Sequence, residues 1–271
     1  FIARAKEIDP DFRCYSDVTD YLAEIKDAGY RERYISAVTD ENLDNLLKTK
    51  LYPYQKEGIR FAFSKGKSIL ADEMGLGKTV QAIGTAELMR KAGLISSVLI
   101  LCPASLKYQW KKEIERFTDS DVVIVEGPQN KRREIYTSQA FYKIVSYHAL
   151  SNDIKVFGPG CSECLIMDEV QRLKNWNSQI SRAARKIQAD YAVVLSGTPL
   201  ENKLDELYSV MEFVDQYCLG PYYKFMDNAT VKDGSGKILS YRNLNEIGER
   251  ISKRLLRRRK ADVAIQLPDR T

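Results

Sequence analysis

The stretch Ala71-Asp72-Glu73-Met74-Gly75-Leu76-Gly77-Lys78-Thr79 decides the fold of this chain. It follows a short apolar run at 68–71 and precedes an amphipathic segment at 79–91, so the pattern predicts a strand, a glycine-containing loop and a helix. Glycine at two positions lets the backbone turn its N–H groups inward around phosphate oxygens, and the start of the helix adds partial positive charge at the same place. The sequence therefore predicts a phosphate-binding loop, called the P-loop (residues 71–79) below.

The side chains of the P-loop suit a nucleoside triphosphate. Lys78 is predicted to reach the β- and γ-phosphates, and the hydroxyl of Thr79 is predicted to bind Mg²⁺. The loop departs from the pattern GxxxxGK[ST] at its first position, where Asp72 replaces glycine. The predicted nucleotide-binding residues of this segment are Asp72, Gly75, Leu76, Gly77, Lys78, Thr79 and Val80.

A pair of acids follows a second apolar run. The segment CLIMDE at 164–169 predicts a buried strand with Asp168 at its carboxyl end, which is the edge of a parallel sheet where ligands bind. Asp168 is predicted to bind Mg²⁺ together with Thr79, and Glu169 to polarise the attacking water as a general base. One acid for the metal and one for water fit a nucleotide hydrolase better than a phosphotransferase. The predicted catalytic residues are Lys78, Asp168 and Glu169.

Short apolar runs alternate with longer amphipathic segments over most of the chain. Continuous Val, Ile and Leu runs are typical of strands buried on both faces, and helices between such strands form right-handed crossovers. We therefore predict an α/β fold with a doubly wound, mostly parallel sheet and helices on both faces. The predicted strands are 68–71, 98–102, 122–125, 142–146, 165–168 and 192–196, and the predicted helices are 79–91, 106–117, 180–188 and 204–214.

Residues 1–50 are interpreted as an N-terminal helical appendage. Ser16 is a suitable N-cap for a first helix, and Gly29 is a suitable stop. A second helix is predicted over 32–47. Nothing in this region resembles a catalytic motif.

The alternation also breaks after residue 214. Residues 217–240 are rich in Tyr, Gly and Asp, with a turn at 233–236, and a helix from Leu244 is predicted to run into a basic stretch. Residues 250–260 hold seven Lys or Arg and no acid, whereas the whole chain has a net charge of +5. Such a concentration of charge indicates a nearby polyanion or acidic surface, unless it is only a solvated helix face.

The composition excludes several classes of protein. With 44% hydrophobic and 29% charged residues, the chain is globular rather than disordered or fibrous. Its longest apolar candidate, 98–102, has the length of a strand and not of a membrane span. No secretory signal follows Phe1, and five cysteines suit a reducing compartment. We expect a soluble protein, cytoplasmic (at the nucleoid) in a prokaryote and nuclear in a eukaryote.

Seven segments form an ordered series of motifs over residues 51–268. They are LYPYQKEG at 51–58, DEMGLGKT at 72–79, LILCPASLKYQW at 99–110, IVSYHAL at 144–150, DEVQRLKN at 168–175, LSGTPLEN at 195–202 and LLRRRKADVAIQLP at 255–268. Together they resemble the motifs of the Swi/Snf-type ATPases, which are helicase-superfamily-two translocases that act on double-stranded DNA. In that family Gln171 stands where His is usual, and Tyr52 where Arg or Lys is more common.

The resemblance implies roles for further residues. Gln55 matches the glutamine that reads the adenine edge. The residues implied to couple the nucleotide site to DNA are Gln171, Ser196, Gly197 and Thr198. The implied nucleic-acid-binding residues are Ser105, Lys107, Trp110, Ser146, Tyr147, Lys174 and Asn175. The helical spacing of Trp110 suits a core position equally well.

The resemblance also implies a RecA-like ATP-binding lobe, the first of two in a motor. Residues 51–268 are expected to form it, with 217–260 as a family-specific helical insertion and basic brace, and the second lobe is expected outside this chain. The implied cofactors are ATP and Mg²⁺. The implied partners are double-stranded DNA, contacted through its phosphate backbone, the second lobe and a DNA-bound protein that the motor remodels. Without the arginine fingers of a second lobe, which are worth roughly 10³ to 10⁵ in rate, we expect weak nucleotide binding and poor hydrolysis.

Two other functions remain open at this point. One is an RNA-directed helicase or a restriction-type translocase of the same superfamily, which stimulation by RNA, single-stranded DNA or duplex DNA distinguishes. The other is a non-catalytic scaffold with a vestigial P-loop that binds partners through the basic stretch and residues 1–50. A scaffold keeps its function when Lys78 or Glu169 is substituted.

Overall fold

A parallel β-sheet forms the centre of the molecule. The computed structural model describes residues 2–9, 16–154, 162–170, 179–187, 189–197, 204–234 and 237–263. Within these residues, seven strands pair in parallel in the order β3-β4-β2-β5-β6-β1-β9, and β7 and β8 form a separate antiparallel hairpin. The strands are β1 (Lys67–Leu70), β2 (Val98–Cys102), β3 (Val122–Ile124), β4 (Tyr142–Ser146), β5 (Cys164–Met167), β6 (Tyr191–Leu195), β7 (Thr230–Lys232), β8 (Ile238–Tyr241) and β9 (Leu255–Leu256).

The central strands are buried on both faces because their side chains alternate between two apolar cores. Every residue of β2, β4, β5 and β6 is buried. Leu99 and Leu101 pack into the core on one face of the sheet, and Ile100 packs into the core on the other. The six strands predicted from the sequence are each present to within one residue. The prediction of a doubly wound α/β fold is confirmed.

Helices cover both faces of the sheet. They are α1 (Ile2–Ile8), α2 (Ser16–Ala37), α3 (Asp40–Asp44), α4 (Pro53–Lys65), α5 (Lys78–Lys91), α6 (Lys107–Phe117), α7 (Gln129–Tyr136), α8 (Tyr147–Asp153), α9 (Gln179–Arg185), α10 (Leu204–Met211), α11 (Tyr222–Ala229), α12 (Leu244–Ser252) and α13 (Lys260–Val263). One core takes Phe63 of α4 and Met89 of α5, and the other takes Leu150 of α8 and Leu207 of α10. Among the helices of the described ranges, none combines the length and the apolar character of a transmembrane helix.

The N-terminal helices differ from the prediction. Helix α2 begins at Ser16 as expected but continues through Gly29 to Ala37, and the second helix is the short α3 and not a helix over 32–47. Tertiary contacts beyond the glycine explain the continuation. The Nε–H of Arg31 donates a hydrogen bond to the carbonyl oxygen of Ser64 at 3.3 Å. Contacts of this kind with α4 outweigh the cost of about 1 kcal/mol for glycine inside a helix.

The helix predicted from Leu244 into the basic stretch is present as α12, but only its last three residues belong to that stretch. Helix α12 ends at Ser252, and the chain then forms β9, which pairs in parallel with β1. The backbone N–H of Ile69 donates to the carbonyl oxygen of Arg254, and that of Ala71 to Leu256, both at 2.8 Å. A pair of apolar residues that can cover the open side of β1 therefore outweighs the helical periodicity of the sequence.

The parallel sheet brings the two predicted motifs to one edge. The P-loop follows β1 and Asp168 follows β5, and only β6 lies between these strands. Because parallel strands all end at the same edge of a sheet, both motifs leave it at the same end.

Candidate nucleotide-binding site

The P-loop turns from β1 into α5 through two glycines with left-handed backbone. The φ angle is +89° at Gly75 and +70° at Gly77, a region that residues with a Cβ rarely adopt. A Cβ on Gly77 would lie 2.5 Å from the Nε2 atom of Gln55, so a side chain there would displace the Gln55 amide. Helix α5 begins at Lys78, directly after this turn. The loop therefore has the backbone and the helix start that a phosphate-binding loop requires.

The ammonium group of Lys78 lies at the base of the P-loop. Its Nζ donates to the carbonyl oxygen of Asp72 at 2.7 Å and to that of Glu73 at 3.4 Å. Burial lowers the pKa of Lys78, whereas nearby carboxylates, including those of Asp168 and Glu169, favour its charged form. The lysine of the first motif thus interacts electrostatically with both acids of the second.

Hydrogen bonds hold Asp168 in place at the end of β5. The indole Nε1 of Trp110 donates to its Oδ2 at 2.9 Å, and the backbone N–H of Glu169 donates to its Oδ1 at 2.9 Å. The hydroxyl of Tyr147 donates to its carbonyl oxygen at 2.7 Å. Burial raises the pKa of Asp168, and the Trp110 hydrogen bond opposes this by favouring the carboxylate. The site therefore holds a carboxylate that is largely removed from water but fixed in direction.

Glu169 has an unusual backbone conformation. Its φ angle is +52°, which costs energy for any residue with a Cβ and is found most often at functional sites. Gly197, which follows β6, lies beside it, since a Cβ on Gly197 would be 3.7 Å from the Oε1 atom of Glu169. The strained backbone thus directs this carboxylate to the space between the ends of β5 and β6.

The oxygen atoms of Thr79 and Asp168 suit a small hard cation. Magnesium is usually held by one or two protein oxygens, and the remaining ligands are phosphates and water. Within the described residues, no three His, Cys, Asp or Glu side chains form a metal-binding group, so an all-protein metal cage is absent there. The desolvated carboxylate of Asp168, with its raised pKa, fits a neighbouring positive ion.

Gln55 forms one wall of the P-loop. Its side chain is buried, its Oε1 accepts the backbone N–H of Tyr52 at 3.0 Å, and its Nε2 faces Gly77. The ring of Tyr52 stacks on that of Tyr54, with centroids 5.8 Å apart. The amide that the resemblance assigns to adenine is therefore adjacent to the phosphate-binding loop.

Sequence reasoning missed the partner of Asp72. The carboxylate of Asp72 is fully buried, and it accepts hydrogen bonds from Arg258 at 2.6 Å and from Gln81 at 3.1 Å. Only the carbonyl oxygen of Asp72, and not its carboxylate, accepts a hydrogen bond from Lys78. Two signals were present in the sequence: an acid at a position that is glycine in the common pattern, and a basic run with no acid of its own.

Comparison with known proteins identifies the family. The family model described as the SNF2-related domain matches residues 54–271. The chain belongs to the SNF2-related family. It is 34% identical over 242 residues to an uncharacterised ATP-dependent helicase of Mycoplasma pneumoniae, covering 86% of this chain and 23% of that protein. It is 30% identical to the CHD3-type chromatin-remodeling factor PICKLE of Arabidopsis thaliana, covering 99% of this chain and 22% of that protein.

A solved structure has the same fold. The Sulfolobus solfataricus SWI2/SNF2 ATPase core, in complex with dsDNA, superposes on this chain with a TM-score of 0.72 at 29% identity, covering 82% of this chain and 48% of that one. The present SNF2-related chain spans about a quarter of the length of the curated relatives named above and about half of the solved core.

The residues implied to bind nucleic acid have varied surroundings in this SNF2-related chain. Ser105 is exposed, and Lys107 is half-buried with its Nζ 2.9 Å from the Oε2 atom of Glu126. Trp110 takes the core position that its helical spacing allowed, because it is 2% exposed and its indole nitrogen donates to Asp168. An indole in that position packs in the core and has no face for DNA.

Ser146 and Tyr147 are also buried. The Oγ of Ser146 accepts the backbone N–H of Ala149 at 3.3 Å and so caps α8, and the hydroxyl of Tyr147 points to Asp168. Direct contact of these two side chains with DNA requires a rearrangement that exposes them to solvent. Of the residues implied to couple the sites, Ser196 is buried and Gly197 borders Glu169. The positions outside the described residues are Gln171, Lys174, Asn175 and Thr198.

Proposed function

We propose that this SNF2-related chain is the ATP-binding lobe of a DNA-dependent ATPase that translocates on duplex DNA and remodels protein–DNA complexes. One observation carries the proposal: a P-loop with glycine backbone follows β1, the acid pair Asp168 and Glu169 follows β5, and only β6 separates these two parallel strands. Two acids beside one desolvated ammonium are suited to hydrolysis of a phosphoanhydride.

Each polar group of the site has a separate task in this proposal. The P-loop N–H groups and Lys78 bind the β- and γ-phosphates, and Gln55 binds the adenine edge. Mg²⁺, when bound by Thr79 and Asp168, supplies charge neutralisation on the phosphates. Glu169 accepts a proton from the attacking water. Trp110 and Tyr147 keep Asp168 in position by their hydrogen bonds to its carboxylate and its carbonyl oxygen.

The proposed nucleic-acid partner is double-stranded DNA, bound through its phosphate backbone. Family membership supports this partner, and so does the Sulfolobus core, whose structure is a complex with dsDNA. The surface offers exposed or half-exposed groups on α6, including Lys107, Lys111 and Lys112. Phosphate contacts of this kind give binding that depends little on sequence and weakens with salt.

We also propose the organisation that the sequence predicts. Residues 51–268 form the lobe, with 217–260 as its insertion and brace, residues 1–50 form an appendage, and a second RecA-like lobe lies in the same full-length protein. Chromatin-remodelling relatives support a nuclear location in a eukaryote, and a location at the nucleoid is proposed for a prokaryote.

The test is ATP hydrolysis by the full-length protein with Mg²⁺ and, in turn, duplex DNA, single-stranded DNA or RNA. Lys78→Ala is expected to abolish nucleotide binding, and Glu169→Gln is expected to bind ATP without hydrolysing it. Lys91→Ala and Glu115→Gln, which change exposed residues of α5 and α6, serve as matched controls. Stimulation by RNA alone supports the RNA-directed alternative, and function that persists in both variants supports the scaffold. Absence of any ATP turnover with duplex DNA refutes the proposal.

A further inference from the structure

The segment after α12 runs beside β1 and then beside the first residues of the P-loop. We call residues 254–263 the strap. The parallel pairing of β9 with β1 continues beyond both strands, because the backbone N–H of Glu73 donates to the carbonyl oxygen of Arg258 at 2.9 Å. The backbone N–H of Lys260 in turn donates to Glu73 Oε2 at 2.7 Å. The strap thus follows the chain of the P-loop well past the end of β1.

Arg258 makes the densest set of contacts between the strap and the P-loop. Its Nε and Nη2 donate to the two carboxylate oxygens of Asp72 at 3.1 and 2.6 Å, and its backbone N–H donates to Oδ1 at 3.0 Å. Asp72 is 0% exposed. A buried carboxylate requires such a bidentate partner, since an unpaired buried charge is very costly.

The same guanidinium reaches two further walls of the nucleotide site. Its Nη2 donates to Gln81 Oε1 at 2.9 Å, and the Nε2 of Gln81 donates to the carbonyl oxygen of Leu76, within the P-loop, at 3.2 Å. Its Nη1 donates to the carbonyl oxygen of Tyr54, the residue before Gln55. One side chain of the strap therefore connects the first residue of the P-loop pattern, its middle and the wall that faces the glycine turn.

Apolar packing joins the strap to the P-loop at a second place. Leu76 is 0% exposed and forms a small core with Tyr54 and with Val263 of α13. Lys260 lies over the glycine turn as well, because a Cβ on Gly75 would be 3.4 Å from its Cε and 3.5 Å from its Nζ. The P-loop cannot change its backbone path without disturbing the strap.

We propose that Arg258 is a positioning residue of the nucleotide site and that the strap is mechanically part of that site. The proposal rests on the proposed function, because it assumes that the P-loop binds a nucleoside triphosphate. Arg258 acts through Asp72, Gln81 and the backbone of Tyr54 and does not touch the phosphates. Coupling between two sites is reciprocal, so nucleotide bound in the P-loop stabilises the strap by the same free energy with which the strap favours nucleotide.

Nucleotide affinity of the protein tests the positioning role. With a fluorescent ATP analogue and Mg²⁺, Arg258→Met is expected to weaken binding by about tenfold or more, a typical size for such coupling. The matched control is Arg259→Met, which removes the same charge from a neighbouring exposed side chain and is expected to change affinity less than about twofold. Arg258→Lys keeps the charge but not the bidentate geometry, and its nucleotide affinity is expected to lie between those of Arg258→Met and Arg259→Met.

A double variant separates positioning from folding. Arg258→Met leaves Asp72 buried without its cation, so the melting temperature is expected to fall. Asp72→Asn combined with Arg258→Met removes that unpaired charge and is expected to recover most of the melting temperature while binding stays about tenfold weaker. If affinity recovers together with stability, or if Arg258→Met binds as well as Arg259→Met, the positioning role is wrong.

Hydrogen exchange tests the reciprocal effect in the wild-type protein. Saturating nucleotide is expected to slow exchange of the amides of Arg258 and Lys260, whose acceptors are P-loop carboxylates, and to leave the β7–β8 hairpin unchanged. Nucleotide that binds without protecting the strap overturns the inference alone. A wild-type protein that binds no nucleotide overturns both the proposed function and this inference.

Discussion

Replacing Trp110 with phenylalanine tests whether the indole holds the carboxylate of Asp168 in its charged form. The substitution keeps an aromatic ring in the core but removes the 2.9 Å donor to Oδ2. A hydrogen bond to a charged group is worth about 1.5 to 3 kcal/mol, and a neutral one about 1 kcal/mol. The penalty in the free energy of unfolding is therefore expected to depend on whether Asp168 is ionised.

The direction of the pH dependence follows from the pKa of Asp168. Burial raises this pKa above the ordinary value of 3.8, so the folded state loses stability as the pH rises through it. The Trp110 hydrogen bond lowers the pKa and limits that loss. Trp110→Phe raises the pKa further, and its penalty is expected to grow by about 0.5 to 2 kcal/mol from acidic to neutral pH.

The assay is urea unfolding at a series of pH values, followed by fluorescence or circular dichroism. Tyr147→Phe is the matched control, because its hydroxyl donates to the backbone carbonyl oxygen of the same aspartate, which does not titrate. Its penalty is expected to be about 1 kcal/mol at every pH. If the penalty of Trp110→Phe is equally flat with pH, the indole does not stabilise the charged carboxylate and the reasoning fails.

Four further substitutions, one of them a control, have expected outcomes. Gly77→Ala is expected to lower the free energy of unfolding by at least about 1 to 2 kcal/mol and to weaken nucleotide binding. Gly93→Ala is its control in urea unfolding: φ is +71° there, but an added Cβ has no neighbour within 4 Å, so only the backbone cost is expected. Gly29→Ala should stabilise the protein by about 0.5 to 1 kcal/mol, because the helical glycine has open space around it, and a lower melting temperature would contradict this. Arg132→Met should lower the free energy of unfolding by about 3 to 5 kcal/mol in urea, since it leaves the fully buried Asp153 without its cation. A loss below about 1 kcal/mol would mean that the pair behaves like an exposed ion pair.

Local sequence patterns predict the sheet well for a physical reason. Strands β2, β5 and β6 are continuous apolar runs, because both of their faces are covered by helices. The ends of these strands then fix where the P-loop and the acid pair lie. The convergence of Lys78 with Asp168 therefore follows from strand polarity and needs no knowledge of distant contacts.

The features that sequence reasoning missed depend on contacts between distant parts of the chain. Arg258 pairs with Asp72 across 186 positions, and Trp110 bonds Asp168 across 58. Neither pairing has a periodic signal, and the helical spacing of Trp110 gave core and DNA-facing positions equal weight. Helix α2 passes Gly29 for the same reason, since contacts with α4 stabilise the turns that follow.

The two-residue strand β9 has a consequence for solubility. Without it, the N–H groups of Ile69 and Ala71 would be free on the outermost strand of the sheet and could template pairing with another molecule. Strand β9 satisfies these groups and is itself short and flanked by Arg254 and Arg257, whose like charges repel a second copy. Protein truncated before residue 254 is therefore expected to aggregate through β1, even with an intact hydrophobic core.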